Sequence, residues 1–344
     1  MKKTMKGATI PGKKNVVLKE FPVPKPGPGQ VLVKMKAATV CGSDIHGIYR
    51  RDSGGDLIRG HEPCGQIVEL GQNSKRFKVG DRVAIYHIAG CGICHNCRMG
   101  YMINCTSPER AAYGWDRDGG MAEYLLAEES TCIHLPDVMS YIDGAFISCG
   151  FGTVWEALTR IKLSGGENVL VVGLGPVGMA ALMLSRGLGA NKIIGVEAVD
   201  ERFEIARDLG LADVLLKAGP GVVDEIKSAT DGRGCEVSID CSGNPDGRLV
   251  AIQGVGYWGR VAFVGEGNTV TFQPSRDIMH KQITIYGSWV TSLPHMEDLV
   301  ECLVRWDMHP ETLVTHRFPL EQIAEAFELM DEGKCGKVAV VFED

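Results

Sequence analysis

The chain has 344 residues, 44% hydrophobic and 23% charged, with a formal net charge of −7. That length exceeds one typical core and predicts two domains of an ordinary soluble α/β protein, while the acidic balance excludes nucleic acid or an anionic membrane as the main partner. Twelve cysteines behind an N-terminus (Met1-Lys2-Lys3-Thr4) that lacks an apolar run predict a reducing, cytoplasmic setting in which thiols serve metals and not disulfides.

Residues 7–40 read as strands and turns. A Pro/Gly-rich connector at 22–29 separates Val16-Val17-Leu18 from a stretch at 30–37 that alternates as a half-buried strand. Chemistry then concentrates between Cys41 and Glu62, in Cys41-Gly42-Ser43-Asp44-Ile45-His46 and Gly60-His61-Glu62. Thiolate, imidazole and carboxylate all ligate zinc, and a catalytic zinc takes three protein ligands and keeps a fourth position open. An acid, a hydroxyl and a second imidazole beside such a set are the groups that orient a ligating histidine and move a proton. A buried cysteine or a satisfied core histidine is the commoner meaning of either residue alone; the combination argues for a metal. Residues 67–71 and 80–85 read as further strand and turn units, which predicts a barrel-like β domain.

Cys91, Cys94, Cys97 and Cys105 follow at spacings of 3, 3 and 8, the pattern of a closed structural zinc tetrahedron. His95 stands among them, but four thiolates already complete the site. A zinc ribbon can also bind nucleic acid. Arg98 is the one basic residue between Cys91 and Cys105, which weakens that reading.

The pattern changes near residue 150. Ser148-Cys149-Gly150 leads into a predicted helix at 154–161, an apolar strand at 168–172, the turn Gly173-Leu174-Gly175-Pro176-Val177-Gly178, a helix at 179–188 and a strand at 192–197. The uncharged run 168–185 has the length of a membrane span, but its glycines and Pro176 make it strand, tight turn and helix. Glu197 follows Gly178 by 19 residues, completing a dinucleotide-binding fingerprint. The glycines let backbone approach a pyrophosphate at the helix N-terminus. An acid at the second strand end can bond both ribose hydroxyls and repels the 2′-phosphate of NADP, so NAD is expected and NADP less so; Arg202 can serve either cofactor. Strands and helices alternate to residue 287, predicting a doubly wound parallel sheet. Helices at 296–306 and 320–332 and a strand at 337–342 then return to the first domain. The expected domains are 1–150 with 288–344, and 151–287.

Taken in order, Cys41, Gly60-His61-Glu62, the four-cysteine loop and the turn from Gly173 to Gly178 resemble the zinc-dependent medium-chain alcohol dehydrogenases along essentially the whole chain. The resemblance implies a GroES-like β-barrel domain holding catalytic zinc, a Rossmann domain binding NAD, and a cleft between them. It also implies two zincs per chain and a homo-oligomer, dimer or tetramer. Cys41 and His61 would be zinc ligands. Cys149 occupies the position of the second thiolate in alcohol-type members, and Glu62 is its rival for the third protein ligand or an exchanging group. Polyol-type members such as sorbitol dehydrogenases carry Glu-Pro where this chain has Cys149-Gly150. Ser43 resembles the relay hydroxyl, His46 the imidazole that passes the proton to solvent, and Asp44 the acid that fixes the tautomer of the ligating histidine. Val264 and Lys337 are expected among the cofactor contacts, and His87, Trp115 and Trp289 among the pocket residues. The loop from Tyr113 to Gly120 resembles that of threonine and polyol dehydrogenases. The resemblance therefore implies hydride transfer between a polar secondary alcohol and NAD, with an L-threonine 3-dehydrogenase-like activity or a cyclic alcohol as alternatives. A zinc-free quinone reductase of the same superfamily would lack the ligand set, and a non-enzymatic binding protein would have lost relay or ligand residues.

Overall fold

The computed structural model describes residues 3–343; Met1 and Lys2 of the N-terminal stretch, and Asp344, lie outside them. The chain divides into two units, Met1–Gly152 with Thr291–Asp344, and Thr153–Val290.

The first unit is built on β1 (Thr4–Gly12), β2 (Asn15–Pro22), β3 (Gln30–Val40), β4 (Gly55–Ile58), β5 (Pro63–Leu70), β6 (Arg82–Ile85), β7 (Ile88–Ala89), β8 (Ala111–Ala112), β9 (Tyr124–Glu128) and β10 (Cys132–His134). One small sheet has the order β2-β1-β4. In the larger sheet β3 is central, pairing antiparallel with β5 and β9. Val31, Val33 and Met35 of β3 point into one core with Ile67, Val83, Ile85 and Leu125. The predicted strand stops at residue 37 because the alternation ends there. The real strand continues to Val40, since a strand from the far end of the chain pairs with Ala37–Val40 and both faces are buried.

The second unit holds six parallel strands: β11 (Asn168–Val172), β12 (Lys192–Glu197), β13 (Val214–Lys217), β14 (Cys235–Asp240), β15 (Val255–Phe263) and β16 (Thr284–Gly287). Their order is β13-β12-β11-β14-β15-β16, the doubly wound arrangement of a Rossmann sheet. All five residues of β11 are buried, as a parallel strand covered on both faces requires. The uncharged run is divided between β11 and the helix Pro176–Gly187, and among the described residues no helix is long and apolar enough to cross a membrane. β15 begins at Val255, with a register break opposite Cys235 and Val237.

The chain closes the first unit with β17 (Val314–Pro319), the helix Ile323–Glu332 and β18 (Lys337–Val341). β18 is parallel to β17 and antiparallel to β3, so the fold class is α/β: a mixed GroES-like β unit and a parallel Rossmann unit.

Candidate metal centres and cofactor turn

The four-cysteine loop folds around the short helix His95–Arg98, capped by Cys94. Backbone N–H groups of Cys91 and Ser107 donate to Cys105 Sγ, each at 3.4 Å, and Cys94 N donates to Cys91 Sγ at 3.4 Å. Amides aimed at sulfur favour the thiolate. The Cys94 thiol is lowered to about 6, first by the amide of Cys97. The Cys91–Cys97 and Cys94–Cys105 Sγ separations are both 4.0 Å. A tetrahedron with Zn–S bonds of about 2.3 Å needs sulfurs roughly 3.8 Å apart. The four sulfurs lie within 4.8 Å of one another and fit zinc; His95 is not in the group.

The second cluster is assembled from three separated segments, around Cys41, His61-Glu62 and Cys149. Cys41 ends the burial run of β3 and caps the helical turn Gly42–Asp44. Asp44 carries two jobs: Oδ2 accepts from Cys41 N at 3.1 Å, and Oδ1 lies 2.8 Å from His61 Nδ1. Because a carboxylate only accepts, His61 Nδ1 carries the proton and Nε2 presents its lone pair. Ser43 Oγ lies 3.4 Å from that Nε2. Cys149 comes from a π-helical turn, Ile147–Phe151, and a second π-turn, Ile45–Tyr49, follows Asp44. Such insertions re-aim side chains and gather at functional sites. The ligand atoms of Cys41, His61, Glu62 and Cys149 all lie within 4.8 Å. The Cys41 thiol sits well below its ordinary value, first through its hydrogen bond with Cys149 and then through His61, despite burial.

Glu62 is held on one side. Its Oε2 accepts from Lys337 Nζ at 2.5 Å and from Thr39 Oγ1 at 2.6 Å, while Oε1 is buried with no partner. Burial, the largest influence, raises the Glu62 carboxyl to about 7 against the attraction of Lys337. A buried acceptor without a donor is costly, and a cation among these four side chains supplies what Oε1 lacks. Two thiols, an imidazole and a half-bonded carboxylate therefore fit a zinc ion. Lys337, expected among the cofactor contacts, belongs to the first unit instead: it is 1% exposed, bonded to Glu62 and 4.4 Å above the Phe146 ring. A buried ammonium requires a carboxylate partner, and that requirement places it here. Its sequence signal is a lone lysine at the head of Val338-Ala339-Val340-Val341. Thr39 and Lys337 are the residues that pattern reasoning did not connect to the cluster.

His87 lies next to it, its ring 5.3 Å from that of His61. Its Nδ1 donates to the Ser148 carbonyl at 2.9 Å, leaving Nε2 as an acceptor. Burial, the largest influence, holds His87 down to about 3, so it is neutral in the working range. Trp115 stands edge-on to His61 at 6.3 Å and packs so tightly on Gly47 that a Cβ there would meet it at 2.2 Å. His46 is exposed, and its Nδ1 accepts from Arg50 at 3.1 Å. Trp289 belongs to the second unit and is 56% exposed.

In that unit Gly173 has φ +87°, and Gly178 is obligatory because a Cβ would fall 1.8 Å from the Gly173 carbonyl oxygen. Gly175 caps, and Pro176 begins, the helix Pro176–Gly187; Leu174 is buried beneath the turn and Val177 is half-buried. Glu197 ends β12. Its Oε2 accepts from Leu174 N at 2.5 Å, and Oε1 from Ala198 N at 2.7 Å and Val199 N at 2.8 Å. One acceptor position on Oε2 stays open, so the carboxylate can take one further hydroxyl and not the two expected. Arg202 has a buried Nε without a partner, and its guanidinium lies 3.6 Å from where a Gly175 Cβ would be. An open helix N-terminus, an acid at the strand end and an unpaired guanidinium fit a dinucleotide. Val264 follows the end of β15 and is buried.

A sulfur–imidazole cluster, a four-thiol knuckle and a dinucleotide turn in one chain define a metal-dependent dehydrogenase. Residues 27–137 match the alcohol dehydrogenase GroES-like domain, and residues 176–305 the zinc-binding dehydrogenase domain. The uncharacterized zinc-type alcohol dehydrogenase-like protein YphC of Escherichia coli K12 is 52% identical, over 99% of this chain and 100% of its own length. L-threonine 3-dehydrogenase of Caldanaerobacter subterraneus is 33% identical over 95% of this chain and 94% of its own. An alcohol dehydrogenase structure from Escherichia coli CFT073, complexed with NADH, has a TM-score of 0.89 at 27% identity and covers 99% of this chain and 100% of its own. The chain belongs to the zinc-dependent alcohol dehydrogenase family and is an oxidoreductase acting on CH–OH donors.

Proposed function

We propose that the protein transfers hydride between a polar secondary alcohol and NAD, using one catalytic and one structural zinc per chain. The carrying observation is the group Cys41, His61, Glu62 and Cys149, with ligand atoms within 4.8 Å, and Ser43 beside the free nitrogen of His61. Cys41, His61 and Cys149 hold the catalytic zinc, and Cys91, Cys94, Cys97 and Cys105 the structural one. Bound zinc supplies Lewis-acid polarisation of the substrate hydroxyl, and NAD supplies the hydride acceptor. Asp44 keeps His61 in the tautomer that offers Nε2. Ser43 Oγ takes the proton of the substrate hydroxyl and passes it to His46, which is open to solvent. Glu197 and Arg202 receive the adenosine ribose above the turn from Gly173 to Gly178. Neutral His87 offers Nε2 to a second polar group of the substrate, which supports a polyol or a hydroxy amino acid over a simple alcohol. The similarity to an L-threonine 3-dehydrogenase supports the same class. Trp115 forms an apolar wall.

A panel of polyols, hydroxy amino acids and cyclic alcohols with NAD and NADP, read by absorbance of the reduced cofactor, tests this. Turnover of none of them, by protein carrying two zincs, would sink the reading.

Elemental analysis is expected to find two zincs per chain. Mild chelation should strip the cluster at Cys41 first, because it keeps an open coordination position, and abolish turnover while far-UV dichroism persists. Active protein with one zinc or none would overturn the assignment.

Glu197→Ala is expected to shift kcat/KM toward NADP by about tenfold, since it removes the charge facing the 2′-phosphate and leaves Arg202 to bind it. A wild type that already prefers NADP would show that Glu197 does not set the choice.

The reading also places the protein in the cytoplasm as a homodimer or homotetramer. Among the described residues none of the twelve cysteines is in a disulfide, and Tyr257 and Trp258 stand 74% and 68% exposed on the second unit. Light scattering after size exclusion measures the oligomer.

A further inference from the structure

The carboxyl edge of the parallel sheet is held by one buried arginine that no catalytic step uses. Arg248, on the helix Pro245–Gly254, is 8% exposed. Its guanidinium donates to the Gly265 carbonyl at 2.7 Å and to the Asn268 carbonyl at 3.0 Å, and its Nε lies 3.4 Å from Asp240 Oδ2. Asp240, the last residue of β14, is fully buried, and its other oxygen accepts from Ser242 N at 3.0 Å and Ser242 Oγ at 2.5 Å. Asn268 Nδ2 returns a bond to the Gly243 carbonyl at 2.9 Å. One guanidinium thus ties the loop after β14 to the loop after β15.

These loops occupy a telling place. The strand order reverses between β11 and β14, and in open α/β sheets a dinucleotide lies outside the carboxyl ends at that reversal. The loop after β14 touches the glycine turn itself: a Cβ on Gly173 would fall 2.7 Å from Ser242 Cα. The loop after β15 is pressed on the first, since a Cβ on Gly265 would fall 2.2 Å from Gly243 N. Neither loop has regular structure to hold its height above the sheet. Asp240 Oδ2 and Arg248 Nε have no hydrogen-bond partner, so their buried charges are balanced mainly by each other.

We propose that Arg248 is a positioning residue for the cofactor: through Asp240, Gly265 and Asn268 it sets the backbone platform, next to the glycine turn, on which the nicotinamide half of NAD rests. This builds on the NAD reading above. Arg248→Met keeps the side-chain volume and removes the three ties. In the zinc-loaded enzyme it should weaken NADH binding, measured by quenching of tryptophan fluorescence, by roughly tenfold, the worth of one charge-assisted contact. Zinc content and the KM for alcohol at saturating NAD should stay unchanged, and Arg248→Lys, which reaches one carbonyl, should recover part of the affinity. NADH affinity within twofold of wild type would overturn the proposal. So would a loss of affinity matched by loss of the cooperative thermal transition, which would make the role structural. Should Arg248→Met fail to fold, Asn268→Ala removes the part-buried tie to Gly243; an unchanged NADH affinity there would also overturn it, and a threefold weakening would support it. A wild type that binds no NADH would instead sink the NAD reading.

Discussion

Cys149→Ser is expected to leave one zinc per chain and to lower turnover by about a thousandfold, because a Lewis acid worth several kcal/mol disappears with the metal. Glu62→Gln should keep both zincs and lose roughly 10- to 100-fold in kcat, the range for a group that supports a metal without owning a bond to it. The asymmetry follows from charge and from tethering. Zinc with two thiolates and an imidazole is formally neutral, and a permanent carboxylate would add a negative charge and make the metal a poorer Lewis acid. Glu62 is already engaged, with Oε2 bonded to Lys337 and Thr39, so only Oε1 can approach the cluster. Zinc analysis and steady-state rates of the two variants decide the matter. An active Cys149→Ser beside a zinc-free Glu62→Gln would place this site with the polyol-type enzymes.

Lys337→Met should be the most destabilising single change outside the ligand set. It strands the Glu62 carboxylate, and breaking one side of a buried ion pair costs about 3–5 kcal/mol. Both side chains are essentially inaccessible, at 2% and 0% exposure, so water cannot replace the ammonium. In a protein of this size that corresponds to a fall in Tm of about 4–7 °C. The drop should be larger after chelation than with zinc present, since the metal's own charge compensates part of the loss. The double variant Lys337→Met/Glu62→Gln should recover most of the stability, because two neutral side chains of similar volume have no charge to strand. Thermal melts of the four proteins, with and without zinc, give the cycle. A single variant within about 1 kcal/mol of wild type would mean that the pair is not balanced as described.

Much of the fold was legible because its signals are local. The run of β11, the tight turn and the helix behind it follow from consecutive apolar residues and from glycines whose Cβ would clash, and β12 begins and ends at the predicted 192 and 197. The four-cysteine loop was equally visible, since its ligands lie within one short stretch and their spacing alone limits the geometry. Cys41, His61, Glu62 and Cys149 were legible as candidates, but the sequence left the third ligand open, and nothing local could close it. The two π-turns beside Asp44 and Cys149 had no sequence signature, because an extra residue in a helical turn is tolerated only where surrounding packing supports it. Lys337 and Glu62 stand 275 residues apart, and they meet only because β18 inserts beside β3. The acceptor capacity of Glu197 was likewise set by folding: three backbone amides, one of them from the glycine turn 23 residues earlier, occupy it. Periodicity and spacing act over a strand or a turn of helix, whereas the charge balance of a buried site depends on which distant segments exclude water together, and that is decided when the sheets close.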